Sequence, residues 1–171
     1  MVKEYTFDRV IMSPEEFEGL LEINRQDVYY VAAMTVAALC NYKDGAEKCH
    51  AMINMLKNPA EPMSVYEKQF LRDRLSGKEY KPYSYLSGTS PQNGYIPAFP
   101  AKVQVADNPY SFITEDWATL LLQSSGADSQ RQIKLRRKKS TGEWFLVEQF
   151  LLADIREPVI NEQGAVIDPW A

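Results

Sequence analysis

Thirteen consecutive residues, Val28 to Cys40, read VYYVAAMTVAALC and carry no charge. At helical spacing Val28, Val31, Ala32, Met34, Val36, Ala38 and Leu39 leave almost no polar face. A helix that is apolar all round has to be enclosed. A bilayer would need ~20 such residues. The run therefore predicts a buried helix over about 28–41, capped by Asp27, and no membrane partner. The rest of the chain must supply its cover. With 171 residues, one domain over 1–171 can do this without a disulfide or a structural metal.

The neighbouring segments read as further helices. Ser13-Pro14-Glu15-Glu16 combines a cap, a proline at the first helical position and an acid at the third, so a helix is expected over 14–23. Asp44 and Glu47 repeat the cap spacing ahead of Cys49, Met52, Ile53 and Leu56, an i, i+3, i+4, i+7 stripe that predicts a helix over about 45–57. Asn58-Pro59 ends it. Ser64 and Glu67 open a fourth helix, with Tyr66, Phe70, Leu71 and Leu75 expected inward and a stop at Gly77.

Residues 78–100 change character. Prolines 82, 91, 97 and 100 forbid a central strand, and the aromatic residues among them suggest a loop anchored on the surface. Beyond it the periodicity becomes two. Ala101 to Ala106 alternates, and Trp117 to Gln123 reads as a strand, with a short helix from Thr114 as the alternative. Gln130–Lys139 and Glu143–Leu152 flank Ser140-Thr141-Gly142 as a hairpin. Residues 158–171 form a tail with a turn at Asn161-Glu162-Gln163-Gly164 and the end Asp168-Pro169-Trp170. Helices followed by consecutive strands predict an α+β fold. Four N-terminal helices, in a helical half over 13–77, would pack on an antiparallel sheet of about four strands from the β half at 101–157.

Chemistry is harder to find. The single histidine, His50, adjoins Cys49 on one helix, where neighbouring side chains diverge by about 100°. Two cysteines and one histidine fall one ligand short of a structural zinc site, so no metal and no cofactor is expected. Phosphate loops of the G-x-x-x-x-G-K type and G-x-S-x-G elbows are absent. Among the acids, Asp154 with Arg156 is the pair to weigh: a pocket role is the sharper reading, and a plain ion pair with each other or with Glu157 the simpler one.

Two surface features remain. The run Arg131, Lys134, Arg136, Arg137, Lys138, Lys139 would attract an anionic partner, or is a solvated hairpin with Glu143 and Glu148 opposite. Tyr83, Tyr85, Tyr95 and Phe99 in the irregular middle would form a recognition surface, or would pin the loop to the core. A formal net charge of −4 argues against nucleic acid as the partner. The start MVKEYTFDRV lacks a basic region followed by an apolar run, so a cytoplasmic setting with reduced cysteines is expected.

Tyr85-Leu86-Ser87-Gly88-Thr89-Ser90-Pro91-Gln92-Asn93-Gly94-Tyr95-Ile96-Pro97 resembles a loop of an uncharacterised bacterial family, mostly from Firmicutes. Gly126-Ala127-Asp128-Ser129, Ser140-Thr141-Gly142-Glu143-Trp144-Phe145-Leu146 and Asp154-Ile155-Arg156-Glu157-Pro158 resemble it too. That resemblance covers about residues 80–171 and implies no assigned activity. Gly142-Glu143-Trp144-Phe145-Leu146 is also similar to a hairpin of the nuclear-transport-factor-2/cystatin-like architecture. That likeness implies helices lying across a curved sheet around a conical pocket, although the His-Asp pair of catalytic members is lacking.

The sequence thus points to a non-enzymatic binding domain for a protein partner or small molecule, with Tyr83, Tyr85, Tyr95, Phe99, Arg136, Arg137, Asp154 and Arg156 as its candidate contacts. A homodimer is compatible with it. The alternative is a small pocket enzyme of hydrolase or isomerase type.

Overall fold

The structure is a computed structural model that describes residues 1–167. The expected Asp168-Pro169-Trp170 end lies outside the described residues. The central run forms helix α2, Val28–Cys40, with Asp27 accepting from the N–H groups of Tyr29 and Tyr30. Twelve of its thirteen residues are buried. Four are alanines (32, 33, 37 and 38), which let neighbouring backbones approach closely. Helix α1, Pro14–Ile23, starts at Ser13, whose hydroxyl accepts from the Glu16 N–H. Helices α3, Ala46–Leu56, and α4, Val65–Leu75, complete the layer. Among the described residues no helix is long and apolar enough to cross a membrane.

The sheet has five strands rather than four: β1 Val2–Phe7, β2 Ala101–Ala106, β3 Trp117–Leu122, β4 Arg131–Arg137 and β5 Trp144–Gln149. They are antiparallel, in the order β1-β2-β3-β4-β5. The extra strand comes from the extreme N-terminus. It turns Tyr5 and Phe7 toward the helices and pairs along its whole length with β2, from Val2 opposite Ala106 to Phe7 opposite Ala101. Its pairing partner lies about a hundred residues away, so its six residues were ambiguous without it. The inward rows Val103 and Val105, Leu120 and Leu122, and Ile133 and Leu135 are at most 1% exposed. They fill the space against α2, so that layer is packed side chain and not a conical pocket.

β2 and β3 touch through a single registered pair, Ala106 opposite Leu121. The 84–89 segment occupies the divergence between them. The Ser87 N–H donates to the Lys102 carbonyl, the Lys102 N–H to Ser87 Oγ, and the Ser125 N–H to the Ser84 carbonyl, each at 2.8 Å. The tyrosine-rich loop is therefore a wedge built into the sheet. Its 3-10 turns at Lys81–Tyr85 and Pro91–Asn93 satisfy the backbone that prolines bar from a ladder.

Two local expectations are corrected. Asp44 does not cap α3. It ends a 3-10 turn over Asn41–Asp44, the cap position is taken by Gly45 at φ 128°, and Asp44 pairs with Lys48. Tyr66 does not face inward: it is 77% exposed, and α4 buries only Leu71 and Leu75.

Candidate functional site

The candidate contact residues are not gathered in one place. Tyr83, Tyr85 and Tyr95 are buried, and their hydroxyls donate to the carbonyls of Cys40 at 3.3 Å, Leu151 at 2.6 Å and Arg156 at 2.6 Å. Each ring is spent on holding the wedge in place. Burial raises the first two phenols well above the ordinary value and pushes Tyr95 up to about 12. Tyr95 also stacks on Tyr80, with centroids 5.4 Å apart. Phe99 is half-exposed at the far end of the loop.

Asp154 and Arg156 lie on the surface and do not pair with each other. Asp154 sits at φ 53°, and its carbonyl accepts from Arg131. Arg156 forms an ion pair with Asp128, in place of the Asp154 or Glu157 partners expected for it.

The basic hairpin is sorted by the pleat. Arg137 bonds Asp116 at 2.7 Å, and Lys139 reaches Asp116 at 3.2 Å and Glu115 at 3.8 Å. Lys134, Arg136 and Lys138 form the alternate row. All three are exposed, and among the described residues none has a carboxylate within 4.0 Å. Lys134 lies over the Phe150 ring at 5.6 Å and Arg136 over Trp117 at 5.0 Å. Arg25, itself buried, covers Phe145 at 4.4 Å from the α1–α2 connection and donates to the Met55 carbonyl.

Beside this hairpin lies a groove that the sequence did not disclose. Helix α4 is held at its start by a reciprocal capping box between Ser64 and Glu67. Tyr66, Phe70 and Arg74 then stand at i, i+4, i+8, on one side of the helix. That stripe faces the edge strand β5 across a cavity of about 510 Å³. The floor is apolar: Leu39, Ile53, Met63, Leu146 and Leu152 are each at most 8% exposed. Lys57, 7% exposed, closes one end with its ammonium 3.3 Å from Glu67. A second hollow of about 580 Å³ carries Arg136, Lys138, Trp117 and Phe145 and shares Lys57, Leu146 and Val147 with the first. The two therefore adjoin along β5. Only the i, i+4 spacing of Tyr66 and Phe70 hinted at the groove. Its opposite wall is about eighty residues away.

Two further polar arrangements were missed. Tyr5 donates to Asp27 and Tyr29 to Asp107, with Lys3 between them, 3.7 Å from Asp27 and 4.7 Å above the Tyr29 ring. Burial first, and then the carboxylate partners, hold both phenols far above the ordinary value. The side chain of Asn41, fully buried, accepts from the Met12 N–H and donates to the carbonyls of Val10 and Ala37. Cys40 and Cys49 are free, buried thiols raised by that burial. The His50 Nε2 is buried without a hydrogen-bond partner among the described residues. No group of three His, Cys, Asp or Glu side chains among the described residues is placed to hold a metal ion.

Comparison with curated proteins and with solved structures returns no match. The model of a domain of unknown function, DUF6935, matches residues 11–159, from the segment before α1 to the end of the β half and leaving out β1. On that match over most of its length, the chain belongs to the DUF6935 family of domains of unknown function.

Proposed function

We propose that this chain is a non-enzymatic binding domain that takes a segment of a partner polypeptide into the groove between α4 and β5. One observation carries the reading: the aromatic stripe Tyr66 and Phe70 faces an apolar floor, and none of the described residues covers it. Large exposed apolar side chains beside a concave apolar floor characterise interaction sites. A helix on one side and an edge strand on the other leave a channel suited to a chain. The bulge opposite Leu135, where Leu146 and Val147 share one partner, twists that edge. Docking through side chains is therefore favoured over a full added strand.

The pocket-enzyme alternative draws nothing from Asp154 and Arg156, which are separated on the surface. Burial, and then the Asp27 and Asp107 partners, raise the Tyr5 and Tyr29 phenols, the opposite of what a tyrosine acid or base near neutrality requires. The two buried free thiols suit a reducing compartment, and a cytoplasmic location belongs to the same proposal.

The test is selection of peptides from a random library on the immobilised protein, followed by amide shift mapping of a selected peptide. The expected result is perturbation at residues 66–74 and 146–150, with affinity falling by about tenfold or more in Tyr66→Ala. Peptides that map elsewhere, or that bind Tyr66→Ala unchanged, would overturn the assignment.

A further inference from the structure

The outer row of β4 supplies a second specificity, and it rests on the groove reading above. We propose that Lys134, Arg136 and Lys138 bind an extended acidic segment of the partner, with carboxylates at alternate positions seated on successive cations. Residues two apart on a strand point the same way and lie roughly 6.6 Å apart. Lys134 and Arg136 thus stand in line on the sheet face opposite the helices, and Lys138 follows one residue past the end of β4, where the hairpin turn begins. An extended partner chain repeats with the same period, so acids at i, i+2 and i+4 meet them one for one.

Three features of the row favour this use. The cations on the alternate positions, Arg137 and Lys139, are already matched by Asp116 and Glu115, whereas the outer row is not. Ring faces position two of the three, since Lys134 lies over Phe150 and Arg136 over Trp117. A guanidinium resting near an indole still has N–H groups free, and arginine can offer two of them to a carboxylate in parallel bonds. Finally, Arg136 and Lys138 line the hollow that shares Lys57, Leu146 and Val147 with the groove, so one segment can engage both.

Acids also surround the row. Glu61, Glu115 and Asp116 line the same hollow, and Glu148 lies opposite Lys134 in the register without closing an ion pair. Glu148 is an internal competitor for the row. A nucleic acid is the less suitable polyanion. Its bases need open ring faces to stack on, and here Trp117, Phe145 and Phe150 are each covered by the protein's own cation.

The experiment uses two labelled peptides, Glu-Val-Glu-Val-Glu-Leu-Phe and its counterpart with glutamine for each glutamate, titrated by fluorescence anisotropy at low and high salt. The glutamate peptide is expected to bind about tenfold tighter at low salt. That advantage should shrink in Arg136→Gln and in high salt, grow in Glu148→Gln, and stay unchanged in Lys78→Gln, a remote exposed cation. Equal binding of the two peptides that is still lost in Tyr66→Ala would overturn the acidic specificity and leave the groove reading standing. Binding of neither peptide would overturn both. A single-stranded oligothymidylate that binds through Arg136 more tightly than the glutamate peptide would overturn the proposal in favour of nucleic acid.

Discussion

Gly126 shows how closely one residue can be specified. A Cβ built there would stand 2.1 Å from the Tyr95 hydroxyl and 3.0 Å from an Ile155 methyl group. Its own φ is not in the left-handed region, so the requirement is space and not backbone freedom. The hydroxyl cannot retreat without giving up its bond to the Arg156 carbonyl, and the Arg156 N–H donates to the Gly126 carbonyl at 2.9 Å. Gly126→Ala should therefore cost about 3 kcal/mol in urea unfolding. Tyr95→Phe alone should cost about 1 kcal/mol. In the double variant the alanine should cost less than it does alone, because its nearest obstacle is gone. Additive costs would show that the contact is relieved by backbone movement.

Among the helices, α4 is the one attached most thinly. It buries two of its eleven residues, whereas α2 buries twelve of thirteen. Local opening free energies follow buried apolar area. Amide exchange should accordingly be markedly faster along Val65–Leu75 than along Val28–Cys40. Leu71→Ala should raise exchange across all of α4, with about 2–3 kcal/mol lost there and little change in α2. Uniform protection of the two helices would contradict this. A loosely held wall also lets the groove adjust its width to an occupant. The hairpin behaves differently: β4 is paired on both sides, with β3 from Trp117 opposite Arg136 to Leu122 opposite Arg131. Lys134 and Arg136, mounted on it, keep their spacing.

For the whole molecule, acid should act first through His50. Burial lowers its pKa below 6.5, Lys68 adds to that, and Glu47 opposes it. A histidine depressed in the folded state is protonated more readily in the unfolded chain. Stability should therefore fall as pH drops through 6.5, well before carboxylates near pH 4 begin to contribute. His50→Gln should flatten the stability curve just below pH 6.5, measured by urea midpoints. A slope unchanged in that variant would assign the loss to other groups.

Local structure was legible in the residues alone. The all-apolar run at 28–40, the Ser13 and Ser64 caps, the i, i+3, i+4, i+7 stripe of α3 and the Ser140-Thr141-Gly142 turn each name their element, because the periods 3.6 and 2 and the cap chemistry act over a few residues. The same evidence gave the α+β class and the alternation that sets Lys134 and Arg136 outward. It could not place β1, whose strand state depends on pairing with β2 a hundred residues later. It could not tell that Tyr83, Tyr85 and Tyr95 face inward, because a tyrosine's two ends suit a surface and a wedge equally well and only the carbonyls of Cys40, Leu151 and Arg156 settle which. The groove was hidden for the same reason. One wall is a helix near residue 70 and the other a strand near 147, and the space between them exists only once α2 has been enclosed and the remaining elements have taken their places around it.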